Sequence, residues 1–267
     1  MRRRGTERQQ VDLTASNIMA SVATEQAQDR VDILGIPVDR FTFDQTLEVI
    51  DRFVREKTPR IAVTADSSAI VAAQSDPEFR EVLLRADLVT ADSAGIRWAA
   101  RRKGMPIVER VSGVDLVDAV CARSADHGYR IFFLGAAAGV AEMAAEALRL
   151  KHPGCNIVGT RHGFFPAESD EVVASEIAPY RPDILFVAMG IPRQEKFIAR
   201  ALPIIQAPVS MGVGGSFDVF SGKVKRAPRL FQRFNLEWLW RLMLNPKKFS
   251  KVKALPKFVL AVLREES

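Results

Sequence analysis

Between Arg60 and Met211 short apolar runs alternate with longer stretches in which apolar residues recur at helical spacing. The runs predict strands over 60–63, 88–90, 130–134, 156–158, 184–188 and 209–212, and the longer stretches predict helices over 76–85, 94–103, 114–127, 140–151, 169–180 and 194–201. Strands separated by helices of ten or more residues form βαβ units, whose parallel sheet is covered on both faces. Upstream, VDILGIPVD (31–39) predicts a short strand pair bent at Gly35-Ile36-Pro37, followed by an amphipathic helix over 43–55. Downstream of Gly215 the pattern becomes helical, with breaks expected at Pro228, Pro246 and Pro256. The fold class is α/β: a Rossmann-like parallel sheet flanked by helices, with an N-terminal strand pair and a helical C-terminal appendage.

Charge sharpens this division. The chain of 267 residues has a net charge of +6, but residues 223–267 hold 12 Lys/Arg against 3 Glu, which leaves the rest mildly acidic. The same segment carries Phe231, Phe234, Trp238, Trp240, Phe249 and Phe258. Basic and aromatic residues together favour an interface with an anionic partner over a merely solvated face. The organisation read from the sequence is a disordered tail (1–30), an α/β body (31–222) and a basic helical appendage (223–267). The tail lacks the apolar stretch of a signal peptide, no run reaches the ~20 apolar residues of a membrane span, and two cysteines do not make a disulfide framework. A reducing compartment is the simpler home.

Three turns follow strands at the end of the sheet where α/β proteins bind ligands. Gly135-Ala-Ala-Ala-Gly139 precedes a helix, an arrangement that suits either a phosphate or a tight turn. It lacks the complete spacing of a dinucleotide fingerprint, yet it motivates one rival reading, a nicotinamide-dependent oxidoreductase. Met189–Lys196 gathers Arg193, Gln194 and Lys196 at a helix start, with Glu195 positioned to offset the helix dipole. The third turn has Gly212, Gly214 and Gly215, with Ser216 available as a helix cap. Asp66 and Asp92 end two strands; for Asp92 the choice is between N-cap and general base. Arg110 precedes a helix, where it suits phosphate, sugar or carboxylate. No D-x-D pair, P-loop or G-x-S-x-G elbow occurs, and the three histidines have no metal spacing. No metal and no cofactor are expected. The basic tail has no DNA- or RNA-reading motif, so nucleic acid is not an expected partner.

In order along the chain, VTADSSAIVAAQSDPEFREVLLRADLVTADSAGIRWAARRKG (63–104), ERVSGVDL (109–116), GYRIFFLGAAAGVAE (128–142), PDILFVAMGIPRQEKFI (182–198), GVGGSFDVFSGKVKRAP (212–228) and LEWLWRL (236–242) resemble the WecG/TagA/CpsF bacterial glycosyltransferases, glycosyltransferase family 26. The resemblance covers about residues 31–251. It implies an inverting, metal-independent transfer from a UDP-sugar, with N-acetylmannosamine, its uronic acid and glucose as open donors. The implied acceptor is a saccharide linked to a polyprenyl diphosphate, in cell-surface polysaccharide synthesis. It also implies that Asp92 is the catalytic base and that Thr64, Arg110 and Gln194 line the substrate pocket. Asp66, Gly135, Gly214 and Gly215 join the candidate substrate-binding set through their turns, and Lys223, Lys225, Arg226 and Arg229 through the charge that a leaving diphosphate demands. The appendage is expected to complete the site and to meet an anionic membrane surface. The expected place is cytoplasmic, peripheral on the inner face of the plasma membrane, and a homo-oligomer is compatible with all of this. The chain departs from the family pattern with Ala65-Asp66-Ser67-Ser68 after the threonine and with Asp92-Ser93 where Asp-Gly is usual.

Overall fold

Alternation within the apolar runs sorts their side chains to two sides of one sheet. The computed structural model describes residues 29–228 and 250–265. It contains an antiparallel pair, β1 (Arg30–Ile33) and β2 (Ile36–Asp39), and a six-stranded parallel sheet. The sheet strands are β3 (Arg60–Ala65), β4 (Leu88–Ala91), β5 (Ile131–Gly135), β6 (Ile157–Arg161), β7 (Ile184–Ala188) and β8 (Val209–Gly212), in the order β4-β3-β8-β7-β5-β6. The helices are α1 (Phe43–Glu56), α2 (Ser67–Ala73), α3 (Pro77–Arg85), α4 (Ala94–Arg102), α5 (Gly113–His127), α6 (Val140–Lys151), α7 (Asp170–Ile177), α8 (Arg193–Ile205), α9 (Ser216–Phe220) and α10 (Ser250–Glu265).

On one face Val63, Val89, Leu134 and Val187 pack with α2, α3, α4, α7, α8 and α10; on the other Ala62, Phe133, Phe186 and Met211 pack with α1, α5, α6 and α9. Successive residues of a strand thus serve opposite cores. The chain leaves β3 and β7 toward the first face and β5 and β8 toward the second, so neighbouring connections diverge at the carboxyl edge, the arrangement at which α/β sheets bind ligands. The hairpin is fastened to β4 by the buried Asp39, which accepts from Val89 N at 2.7 Å and from Arg30 Nε at 2.8 Å. Burial pushes the Asp39 carboxyl above its ordinary range, against the pull of Arg30.

Several expectations need correction. The hairpin turns at Leu34-Gly35, and Ile36 and Pro37 lie in β2. Helix α2, absent from the sequence reading, follows Asp66, and α8 continues through Pro203 to Ile205. Pro256 does not break the C-terminal helix: it lies inside α10, whose Phe258 and Val262 are fully buried in the first core. Lys103 bonds Glu265 at 2.9 Å and fastens the far end of α10 to α4. The tail before Asp29, Arg229, Phe231, Phe234, Trp238, Trp240, Pro246 and Phe249 lie outside the described residues.

Candidate active site at the carboxyl edge of the sheet

Asp92 follows β4, and its N–H donates to Ala65 O at 2.8 Å, holding it beside the end of β3. The cap of α4 is the next residue: Ser93 Oγ accepts from Ile96 N at 3.3 Å and also meets Ser67 N at 3.2 Å. Ser93 therefore takes the capping role. The Asp92 carboxylate instead turns to the start of α5, where Oδ2 accepts from Gly113 N at 3.4 Å. This partly buried carboxylate sits against the electropositive first turn of a helix.

Asp66 is a cap. Its Oδ1 accepts from Ser68 N at 2.9 Å and Ala69 N at 3.0 Å, and from the Ser68 hydroxyl, closing the N-terminus of α2. Arg110 lies one residue before Val111, whose N–H donates to Ala91 O at 3.1 Å; this bond brings the arginine to the edge that carries Asp92.

Thr64 is the penultimate residue of β3, and its Oγ1 donates to Gly212 O at the end of β8 at 2.9 Å. Gly113 packs on that hydroxyl: a methyl group there would lie 3.2 Å from Thr64 Oγ1. Gln194, in the first turn of α8, is only 1% exposed. Its Oε1 accepts from Gly190 N at 3.1 Å and from Gly214 N at 3.0 Å, joining the turns after β7 and β8. Thr64, Asp92, Gln194 and Gly214 are thus linked in one polar seam across the ends of β4, β3, β8 and β7.

Its flanks are made differently. Gly135 has φ 137°, and a side chain there would run into the backbone of Ala188, 2.4 Å from its carbonyl oxygen. Ala136 N donates to Ala188 O at 2.8 Å and Gly163 N to Ala136 O at 2.9 Å, so the turn after β5 is closed by backbone. Gly215 is the N-cap of the short α9, while Ser216 Oγ donates back to Val213 O at 2.6 Å and does not cap. Lys223 and Lys225 are exposed, and Arg226 pairs with Asp115 in the first turn of α5. This segment therefore runs along the seam's rim.

Arg193 and Lys196, grouped with Gln194 in the sequence, point elsewhere. Arg193 pairs with the buried Asp170 of α7, and Lys196 bonds Asp76 at 2.8 Å and Glu78 at 2.9 Å. The Lys196 ammonium holds both carboxyls below their usual range, and their charge raises its own pKa. Sequence reasoning missed the inward turn of Glu195, which is fully buried and whose Oε1 accepts from Gln194 Nε2 at 2.7 Å. The first-turn position that suggested a carboxylate offsetting the helix dipole gave no sign of it. Among the described residues no group of three or more His, Cys, Asp or Glu is placed to hold a metal ion, and no helix is long and apolar enough to cross a membrane.

The sequence matches the profile of the WecG/TagA/CpsF glycosyl transferases over residues 31–267. The chain belongs to that family. It is similar to an N-acetylglucosaminyldiphosphoundecaprenol N-acetyl-beta-D-mannosaminyltransferase of Bacillus spizizenii, 38% identical over 204 residues, covering 76% of this chain and 79% of the relative. A protein of the same name from Staphylococcus aureus strain NCTC 8325 is 32% identical over 237 residues, covering 88% of this chain and 92% of the relative. The protein is a glycosyltransferase, and the oxidoreductase reading of the Gly135 turn gives way. Gly135 of that turn serves the close approach of β7.

Proposed function

We propose that this family member transfers N-acetylmannosamine from its UDP-activated form to the saccharide of N-acetylglucosaminyl-diphospho-undecaprenol, with Asp92 as general base. The observation that carries the assignment is the release of Asp92 from capping α4 by Ser93, with its carboxylate held at the start of α5 beside the Thr64–Gln194 seam. The sugar and acceptor follow the names of the two relatives. The β-linkage in those names, made from an α-linked nucleotide donor, requires inversion, which a single displacement with one base accomplishes.

In that displacement the acceptor hydroxyl oxygen bonds to the anomeric carbon as the bond from that carbon to the UDP oxygen breaks. The hydroxyl proton passes to Asp92, and UDP leaves with the electron pair. General-base assistance contributes about 10²–10⁴-fold. Charge developing on the leaving diphosphate is met by Arg110, Lys223, Lys225, Arg226 and Arg229 without a metal. Asp66, Gly135 and Gly215 shape the turns around the donor.

Asp92→Asn keeps the size and the acceptor for Gly113 N but removes the base. Turnover of UDP-N-acetylmannosamine with a lipid-diphosphate N-acetylglucosamine acceptor falls by roughly two or more orders of magnitude with donor affinity nearly kept; wild-type turnover persists in EDTA. A folded Asn variant with normal turnover removes Asp92 from this role, and loss of wild-type activity in EDTA with recovery on adding magnesium removes the metal-free mechanism.

The lipid acceptor places the reaction at a bilayer, which the basic segment 223–267 meets from the cytoplasmic side. Each basic residue near an anionic surface contributes about 1 kcal/mol. Lys223→Glu with Lys225→Glu, both at exposed positions, weakens co-sedimentation with phosphatidylglycerol vesicles; unchanged sedimentation assigns membrane contact to another surface.

A further inference from the structure

We infer that Glu195 is a positioning residue for the donor pocket: through Gln194 it sets the distance between the turn after β7 and the turn after β8. The inference rests on the reading of this edge as the UDP-sugar site. Gln194 has two chemically different ends, and the surroundings demand one orientation. Its Oε1 faces two backbone donors, Gly190 N at 3.1 Å and Gly214 N at 3.0 Å. The opposite orientation would turn an NH₂ group toward two N–H groups, donors against donors. The Glu195 carboxylate adds to that selection: it accepts from Gln194 Nε2 at 2.7 Å and, when ionised, has no hydrogen to give.

The pair is built into the fold. Gln194 and Glu195 are 1% and 0% exposed. A methyl group at Gly212 would lie 2.5 Å from Gln194 Nε2 and 2.8 Å from Glu195 Oε1, so the last residue of β8 is bare where the pair passes over it. The bond is closed to water, so its polarity cannot be supplied by solvent. Because the residues tied are in two separate turns, a change of orientation moves the turns apart at the edge where the donor is held.

The test exchanges polarity while keeping volume. Glu195→Gln lets residue 195 donate to Gln194 Oε1 in competition with the backbone donors and so weakens the preference for the working orientation. Gln194→Glu places two carboxylates side by side. The double variant Gln194→Glu/Glu195→Gln restores the pattern: the new carboxylate at 194 accepts from Gly190 N, Gly214 N and the amide at 195. In steady-state assays of the full chain, each single variant raises donor KM by roughly ten- to hundredfold with acceptor KM kept. The double variant returns donor KM to within a few-fold of wild type. The pH–rate profile keeps its shape in Glu195→Gln, because this carboxylate exchanges no proton with substrate.

Unchanged donor KM in Glu195→Gln overturns the inference, as does a double variant that fails to fold or to recover. A pH profile that loses a limb also overturns it, by making Glu195 an acid or base. If wild-type protein does not turn over UDP-N-acetylmannosamine, the functional reading fails instead. Amide hydrogen exchange at Gly190 and Gly214, faster in the single variants and restored in the double, then still decides whether the tie exists.

Discussion

Helix α8 shows two kinds of polar chemistry in a single turn. Arg193 and Lys196 reach sideways to α7 and α3, where Asp170, Asp76 and Glu78 receive them, and Gln194 and Glu195 reach inward to the ends of β7 and β8. The outward pairs are charged, and those of Lys196 are open to water, which screens them and limits each to about 1 kcal/mol or less. The inward pair is closed to water and depends on which atom donates. Adjacent residues of one sequence motif are therefore used differently: the outward ones hold a helix in its layer, and the inward ones tie the turns at the edge proposed as the donor site.

The comparison breaks most visibly at Gly212. Gly212→Ala adds a methyl group that meets Gln194 Nε2 at 2.5 Å. No space remains for both, so the Gln194–Glu195 pair must shift away from its backbone partners. Overpacking of this kind costs about 1–3 kcal/mol, and the orphaned N–H groups of Gly190 and Gly214 add to it. Chemical denaturation reads the stability loss, and donor KM in the folded fraction rises with it. A Gly212→Ala protein as stable and as active as wild type would show that the inward pair has slack, and the contrast between the two sides of α8 would collapse.

The sequence carries the sheet well because its signal is periodic. Runs 184–188 and 209–212 match β7 and β8 to the residue, and the α6 pattern matches 140–151. It carries α2 and α9 poorly because seven and five residues leave too little room for a 3.6-residue period. Pro256 misled for another reason. Losing one helical hydrogen bond is a local penalty, whereas seating Phe258 and Val262 on the first core is a tertiary gain that no local pattern displays. That docking makes α10 part of the core, so removal of everything after Gly222 would uncover the α2–α4 surface as well as delete basic charge. In the candidate site, Asp92 was legible as a strand-end residue and Gln194 as a helix-start residue, whereas Thr64 entered through the family resemblance. The orientation of Glu195 was not, because an acidic residue in a helix's first turn looks the same in sequence whether it faces water or a neighbouring strand.

The smallest effect sharpens the other side of the comparison. Lys196→Met removes the ammonium that bonds Asp76 at 2.8 Å and Glu78 at 2.9 Å, with Glu78 also held by Arg200 at 2.6 Å. The carboxyl oxygens of Asp76 and Glu78 are open to water and can be solvated in the variant, so the loss is at most about 1 kcal/mol at neutral pH. Its pH dependence identifies its origin. Lys196 holds both carboxyls below their usual range, so their contribution is complete above the unfolded carboxylate range near pH 4 and disappears as the pH falls through the lower folded values. The raised pKa of Lys196 itself acts at the opposite end, with its contribution complete below the unfolded lysine value near 10.4 and lost as the pH rises beyond it. Melting temperatures of wild type and Lys196→Met therefore differ by a few degrees or less between about pH 5 and pH 10, and converge in acid and in strong base. Donor KM stays at the wild-type value throughout the plateau, since the partners of the Lys196 ammonium, Asp76 and Glu78, belong to the start of α3 and not to the turns after β7 and β8. A shift in donor KM as large as that of Glu195→Gln would mean that the outward ion pairs also set the geometry of the edge, and that the two sides of α8 act as one.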